Sequence, residues 1–249
     1  MLKQTLPVLC IFFFIGLLPV SVRAQTSADS TTNGVKTYNS TLNMYYAALG
    51  PQSRLYNGEE YIPNYAGVKG NPYFNNATDW GTGNITYDGY QYKNVKIRYD
   101  LYKDEVIIPL YKSAIQISLL NNKMESFDLF GHHFIYIKNT PGIVGAVPAG
   151  FYDELYGGKI QVLCKKSENL QQDHSLDNIT SYFLPTINYY VFKGNEYFVV
   201  NSKSEFLDAM KDKKKDLQQF IKTNKIKFNN DNKEQAMARV AEYYDHLSE

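Results

Sequence analysis

Three groups of side chains are of types that could do chemistry: His132 with His133, Asp153 with Glu154, and Cys164 with Lys165 and Lys166. Paired imidazoles suggest a metal centre. Neighbours on a strand point to opposite faces, however, so His132 and His133 cannot ligate one ion in regular β structure. His174 and His246 could join them only through folding, and the spacings of zinc or copper sites are absent. Paired carboxylates suit glycoside cleavage when they stand several ångströms apart across the bond. Asp153 and Glu154 diverge as the histidines do, so one would need a distant partner such as Asp100 or Asp104. A hairpin that solvates its charges explains the pair more simply. Cys164 could be a nucleophile if its pKa were lowered, and Lys165 and Lys166 have the right sign for that. It falls in phase with Ile160 and Val162, which reads instead as a small buried hydrophobe.

No run reads as a P-loop, a dinucleotide-binding glycine motif, a nucleophile elbow, a zinc-protease helix or a calcium loop. Gly81-Thr82-Gly83 lacks a third glycine and leads into a strand. The sequence therefore assigns no catalytic, cofactor-binding or metal-binding residue and implies no cofactor. The 22 tyrosines stand against one tryptophan. They suit binding surfaces, but also strands, so they favour binding only slightly. Lys211, Lys213, Lys214, Lys215, Lys222, Lys225 and Lys227 crowd the tail; a solvated helix face is the simple reading, an anionic surface the other. Asn39, Asn76, Asn84 and Asn178 open N-x-Thr sequons that matter only in a host that glycosylates.

The elements that must position these residues are mostly strands. Ile85 and Tyr87 lead to Asp88-Gly89, a type I′ hairpin signal. Val95, Ile97 and Tyr99 alternate with Lys96 and Arg98. Val106, Ile108 and Leu110 follow, then Ile115, Ile117 and Leu119, then Phe127 and Leu129, and then His133, Ile135 and Ile137. Phe151–Tyr156 turns at Gly157-Gly158 into Ile160, Val162 and Cys164. A polar stretch, 165–178, precedes a last hairpin of Ile187–Phe192 and Tyr197–Val200 around Lys193-Gly194-Asn195. The expected fold is mainly β with α: an antiparallel up-and-down curved sheet or partial barrel of about ten strands. One face of most strands is apolar, so one face of the sheet should be buried.

Helices are expected at both ends. Leu42, Tyr45, Tyr46 and Leu49 recur at helical spacing, with Ser40 as cap and Gly50-Pro51 as stop, which gives a short N-terminal helix. The segment 202–249 carries two to three helices. Ser202 with Glu205 and Asp231 with Glu234 fit capping boxes, and stripes through Leu217 and Ile221 and through Ala236 to Leu247 form packing faces. Between 52 and 79 the chain is turn-rich with aromatics, an irregular layer.

Residues 1–24 read as a signal peptide: Lys3, an apolar run from Leu6 to Val20, then Val22 and Ala24 before Gln25. The run is interrupted by Gly16 and Pro19 and is short for a membrane span. Its removal takes Cys10, Lys3 and Arg23 with it, so Cys164 is the lone thiol and 24 bases face 25 acids. A lone cysteine closes no internal disulfide, and a near-neutral chain has no electrostatic reason to seek nucleic acid. Residues 25–37 are a polar tether, and 38–249 form a single β-rich domain.

Three runs, LYNGEEY (Leu55–Tyr61), GFYDELYGGKIQVL (Gly150–Leu163) and SKSEFLDAMKDKKKDLQQFIKTNKIKF (Ser202–Phe228), resemble uncharacterised exported proteins of Gram-negative bacteria. The resemblance implies a periplasmic or outer-surface location and brings no activity and no site residues. The sequence is thus expected to encode an exported, non-enzymatic cell-envelope protein that binds a small ligand or a protein partner. It is not an integral membrane protein once the signal is cleaved. The alternatives are a hydrolase of polysaccharide, peptide or lipid, and a carrier of an apolar ligand in a barrel lumen.

Overall fold

The computed structural model describes residues 48–50, 53–139, 141–175 and 178–247. The signal segment, the tether and most of the helix expected over 42–49 lie outside the described residues. Gly50 takes φ 51, the left-handed conformation that commonly ends a helix.

The strands are β1 (Glu59–Glu60), β2 (Val68–Lys69), β3 (Gly81–Tyr87), β4 (Tyr90–Asp100), β5 (Glu105–Pro109) and β6 (Gln116–Ser118), followed by β7 (Met124–Leu129), β8 (His132–Ile137), β9 (Gly150–Gly157), β10 (Gln161–Ser175), β11 (Asn178–Lys193) and β12 (Glu196–Val199). They form one 12-stranded sheet in the order β1-β6-β5-β4-β3-β7-β8-β9-β10-β11-β12, with β2 against β11. All ladders are antiparallel except that of β2 with β11. The turns follow the sequence signals. Asp88 and Gly89 take φ 53 and 77, and Gly194 and Asn195 take φ 59 and 68, the positive values a type I′ hairpin needs.

The alternation places one row of side chains across a single face: Tyr92, Ile85, Phe127, Phe134, Asp153, Cys164 and Tyr189 are successive cross-strand neighbours. This face is rolled. β4 and β9 are four places apart, about 19 Å in a flat sheet, yet the Tyr99 and Phe151 ring centroids lie 5.7 Å apart. Further along, Glu168 N–H donates to Leu101 O at 3.2 Å, and Lys165 Nζ lies 2.7 Å from Asp104. No ladder joins β4 to β10, and the sheet remains open. Phe127 stacks on Phe134 at 4.7 Å, and Leu55, Phe74 and Leu119 complete that core.

A second core lies under the helices. α1 (Lys203–Ala209), α2 (Lys214–Thr223) and α3 (Lys233–His246) bury Phe206, Leu217, Met237 and Val240 against Val162, Cys164 and Val191. Ser202 and Glu205 form the expected capping box. Among the described residues no helix is long and apolar enough to cross a membrane.

Five expectations need correction. Among the described residues the strands number twelve, not about ten, because the turn-rich layer contributes the two-residue β1 and β2. The polar stretch 165–178 is mostly strand: β10 and β11 pair continuously from Gln161–Phe192 to Ser175–Asn178. A backbone ladder needs no apolar face, so a solvated ribbon carries no period-two signal. β8 is read one residue out of phase: Phe134 faces the rolled core, while Ile135 packs with Val147 and Tyr152 on the other side. β5 is not one-sided, since Val106, Ile107 and Ile108 are all buried. Asp231 does not cap α3; Asn232 holds that position without a side-chain bond, and Glu234 is engaged elsewhere.

Candidate functional site

Asp153 interrupts the apolar row where the two cores meet, and its surroundings explain how a charge is held there. It is only 2% exposed. β8 brings His132 Nδ1 to 2.6 Å of its Oδ2, and β10 brings Lys166 Nζ to 3.3 Å of the same oxygen. From the first turn of α3, Glu234 reaches Lys166 at 3.0 Å. Cys164 Sγ lies 3.7 Å from Glu234 and Tyr189 Oη 3.5 Å from it. Asp153 is therefore a buried partner in an ion cluster, not an acid on a solvated hairpin.

Ligand atoms of His132, Asp153 and Glu234 lie within 4.8 Å of one another, close enough to hold a metal ion. The place between the two acids is taken by the Lys166 ammonium. Burial alone would lower the Lys166 pKa, but Cys164, Glu234 and Asp153 together outweigh burial and raise it, so it stays charged. A metal ion would have to displace this lysine. Burial pushes the Cys164 thiol well up, with Glu234 and Asp153 adding to the effect and Lys166 opposing it. A thiol held in its protonated form is a poor nucleophile.

The other residues singled out in the sequence do not converge. His133 turns to the opposite face and pairs with Asp128 at 2.7 Å. His174 is exposed near the end of β10 and His246 sits in the last turn of α3. Asp100 accepts from the Tyr61 and Tyr65 hydroxyls and from the Tyr102 and Lys103 amides. Asp104 holds Tyr99 and Lys165. Glu154 accepts from Gln161. Each acid is committed to a structural partner.

A feature with room for a ligand lies at the other end of the row. A cleft of about 520 Å³ opens between β4, the β5–β6 loop and the turn at Ser53–Tyr56. β4 supplies one wall through a bulge. Gly83 pairs with Val95 but Ile85 pairs with Tyr92, so Lys93 and Asn94 oppose one residue of β3. Asn94 takes φ 56, a conformation asparagine tolerates, and the extra residue brings Tyr92 and Val95 into the same cleft. The loop closes with Ser113 N–H donating to Leu110 O at 3.0 Å. Ser53 Oγ accepts from Leu55 N–H and fixes the third wall. Leu55, Tyr56, Val95 and Leu110 all pack on the core from this cleft, and burial raises the Tyr56 pKa, with Tyr111 adding to it. Lys93, Lys96 and Lys112 border it, and among the described residues no carboxylate or imidazole lines it.

Sequence reasoning found neither this cleft nor the meeting of Glu234 with Lys166, since it read Glu234 only as a cap of its helix. The usable signal was Asn94, which breaks the alternation between Tyr92 and Val95. No family model, curated protein or solved structure matches the chain.

Proposed function

We propose that this chain is an exported, non-enzymatic cell-envelope protein that binds a small ligand in the cleft beside β4. The observation that carries the reading is the cleft's composition: a largely apolar floor, a volume within the range of small-molecule sites, and no acid or imidazole among the described residues of its lining. A hydrolase needs a base, an acid or an activated nucleophile at the cavity. Here His132 is bound to Asp153, and Lys166 links Asp153 to Glu234, outside the cleft. A carrier with a closed lumen is disfavoured by the open sheet. Export rests on the residues before Gln25.

Two measurements test this. N-terminal sequencing from the native host should give a start at or near Gln25, and retention of Met1 would overturn export. Native mass spectrometry of the mature chain from a bacterial periplasm should reveal a bound small molecule. Val95→Trp, which fills the cleft, should remove it. A ligand retained by a correctly folded Val95→Trp protein would place binding elsewhere.

A further inference from the structure

We propose that the ligand of this cleft is a single-chain amphiphile with an anionic head group, a proposal that rests on the binding function assigned to the cleft. The charge of the lining carries it. Lys93, Lys96 and Lys112 border the cleft with no acid among its described lining residues, in a chain whose acids and bases are nearly equal in number. Five lysines elsewhere, Lys123, Lys165, Lys166, Lys193 and Lys214, form ion pairs. Lys93 and Lys96 form none among the described residues, and Lys112 has only the Tyr111 ring, 5.3 Å from its Nζ. Positive charges gathered at one mouth without counter-charge favour an anion there.

The interior argues for a chain behind that head. The floor is apolar, and the Tyr56 and Tyr111 rings meet at 45° with centroids 6.3 Å apart. That geometry leaves no parallel slot for a flat aromatic ring between them, whereas a flexible methylene chain conforms to it. A free inorganic anion would use the lysines and leave the floor wet. A neutral apolar ligand would leave the lysines without a role. An anionic amphiphile satisfies both parts of the lining.

The test titrates the mature chain with dodecyl phosphate, dodecyl maltoside, dodecyltrimethylammonium and inorganic phosphate, each below its aggregation concentration, by calorimetry. Dodecyl phosphate should bind at least about tenfold tighter than the maltoside, and the ammonium amphiphile more weakly than either. Octyl phosphate should bind more weakly than dodecyl phosphate, by about fourfold per methylene removed while the chain is buried. Changing Lys93, Lys96 and Lys112 to Gln alters only the rim, so the fold should persist. It should abolish the preference for phosphate and spare maltoside binding. Equal affinity for phosphate and maltoside would overturn the head-group assignment while leaving the cleft a binding site. Inorganic phosphate binding as tightly as dodecyl phosphate would overturn the chain. If none of the amphiphiles binds, the binding function of the cleft falls with the proposal.

Discussion

Replacing Asp153 with Asn removes the charge at the seam between the two cores and keeps the side-chain volume. The substitution removes the carboxylate that meets His132 Nδ1 at 2.6 Å and pairs with Lys166 at 3.3 Å. Breaking a buried ion pair from one side costs about 3–5 kcal/mol when the survivor is stranded. Lys166 is not stranded, because Glu234 remains at 3.0 Å and the lysine is 15% exposed. The expected loss is therefore below that range, about 2–3 kcal/mol, or about 4–12 °C in Tm for a chain of this size. Lys166→Met should cost a similar amount, since Asp153 and Glu234 would then face each other without the ammonium. The double variant removes both the positive charge and one negative charge, so its loss should fall short of the sum by about 1 kcal/mol or more. Urea unfolding of the four proteins, compared at equal m values, measures this. Single losses that add within about 0.5 kcal/mol, or an Asp153→Asn loss below that value, would refute the coupled cluster and restore the solvated-hairpin reading of the acid.

Ile117, 4% exposed in the rolled core, should not tolerate Asp: a buried charge costs several kcal/mol, on the scale of a domain's whole stability. Ile135→Asp, on the opposite and half-buried face, should cost less and Lys96→Asp least; equal losses by circular dichroism would mean that the faces do not divide as described. Cys164 should react slowly with a thiol reagent until the protein is denatured, and Cys164→Ala should cost about 1 kcal/mol. Fast native labelling that rises through a pKa below about 8.5 would contradict the packing role. Alkali should unfold the protein. Burial and hydrogen bonding to Asp245 push the Tyr156 pKa up to about 12, and burial raises Tyr61, Tyr99, Tyr152 and Tyr189 well above 10.0. The unfolded chain thus loses its phenolic protons first, so the stabilisation is complete below pH 10 and falls as pH rises beyond it. Tyrosinate absorbance from these residues should appear together with the unfolding transition, and its appearance in a still-folded chain would count against their burial.

Much of the local structure was legible in the residues. Asp88-Gly89 and Gly194-Asn195 form the turns their types require, Ser202 and Glu205 form their capping box, and the phase of Cys164 with Val162 places both in the helix-covered core. These are short-range signals, in which a backbone torsion or a side-chain face is chosen by neighbours in sequence. The amphipathic helices were legible for the same reason, as their stripes have to be buried somewhere. What periodicity could not encode is which buried faces meet. Ile135 and Phe134 are both apolar, so only the packing of β8 against β7 and β9 decided which of them enters the rolled core. His132, Asp153, Lys166 and Glu234 come from β8, β9, β10 and α3, and each taken alone has a simple local reading. The Glu234 side chain was free to cap its helix until folding placed Lys166 within 3.0 Å of it. The cleft likewise depends on one bulged residue, Asn94, together with a loop and a turn from elsewhere in the chain. The sequence by itself determined most of the apolar strands, the two hairpin turns, the C-terminal helices and the burial of Cys164, because those follow from local sterics and periodicity. Only the tertiary structure decided the ion cluster and the cleft, because both are made of groups that share a place without sharing a pattern.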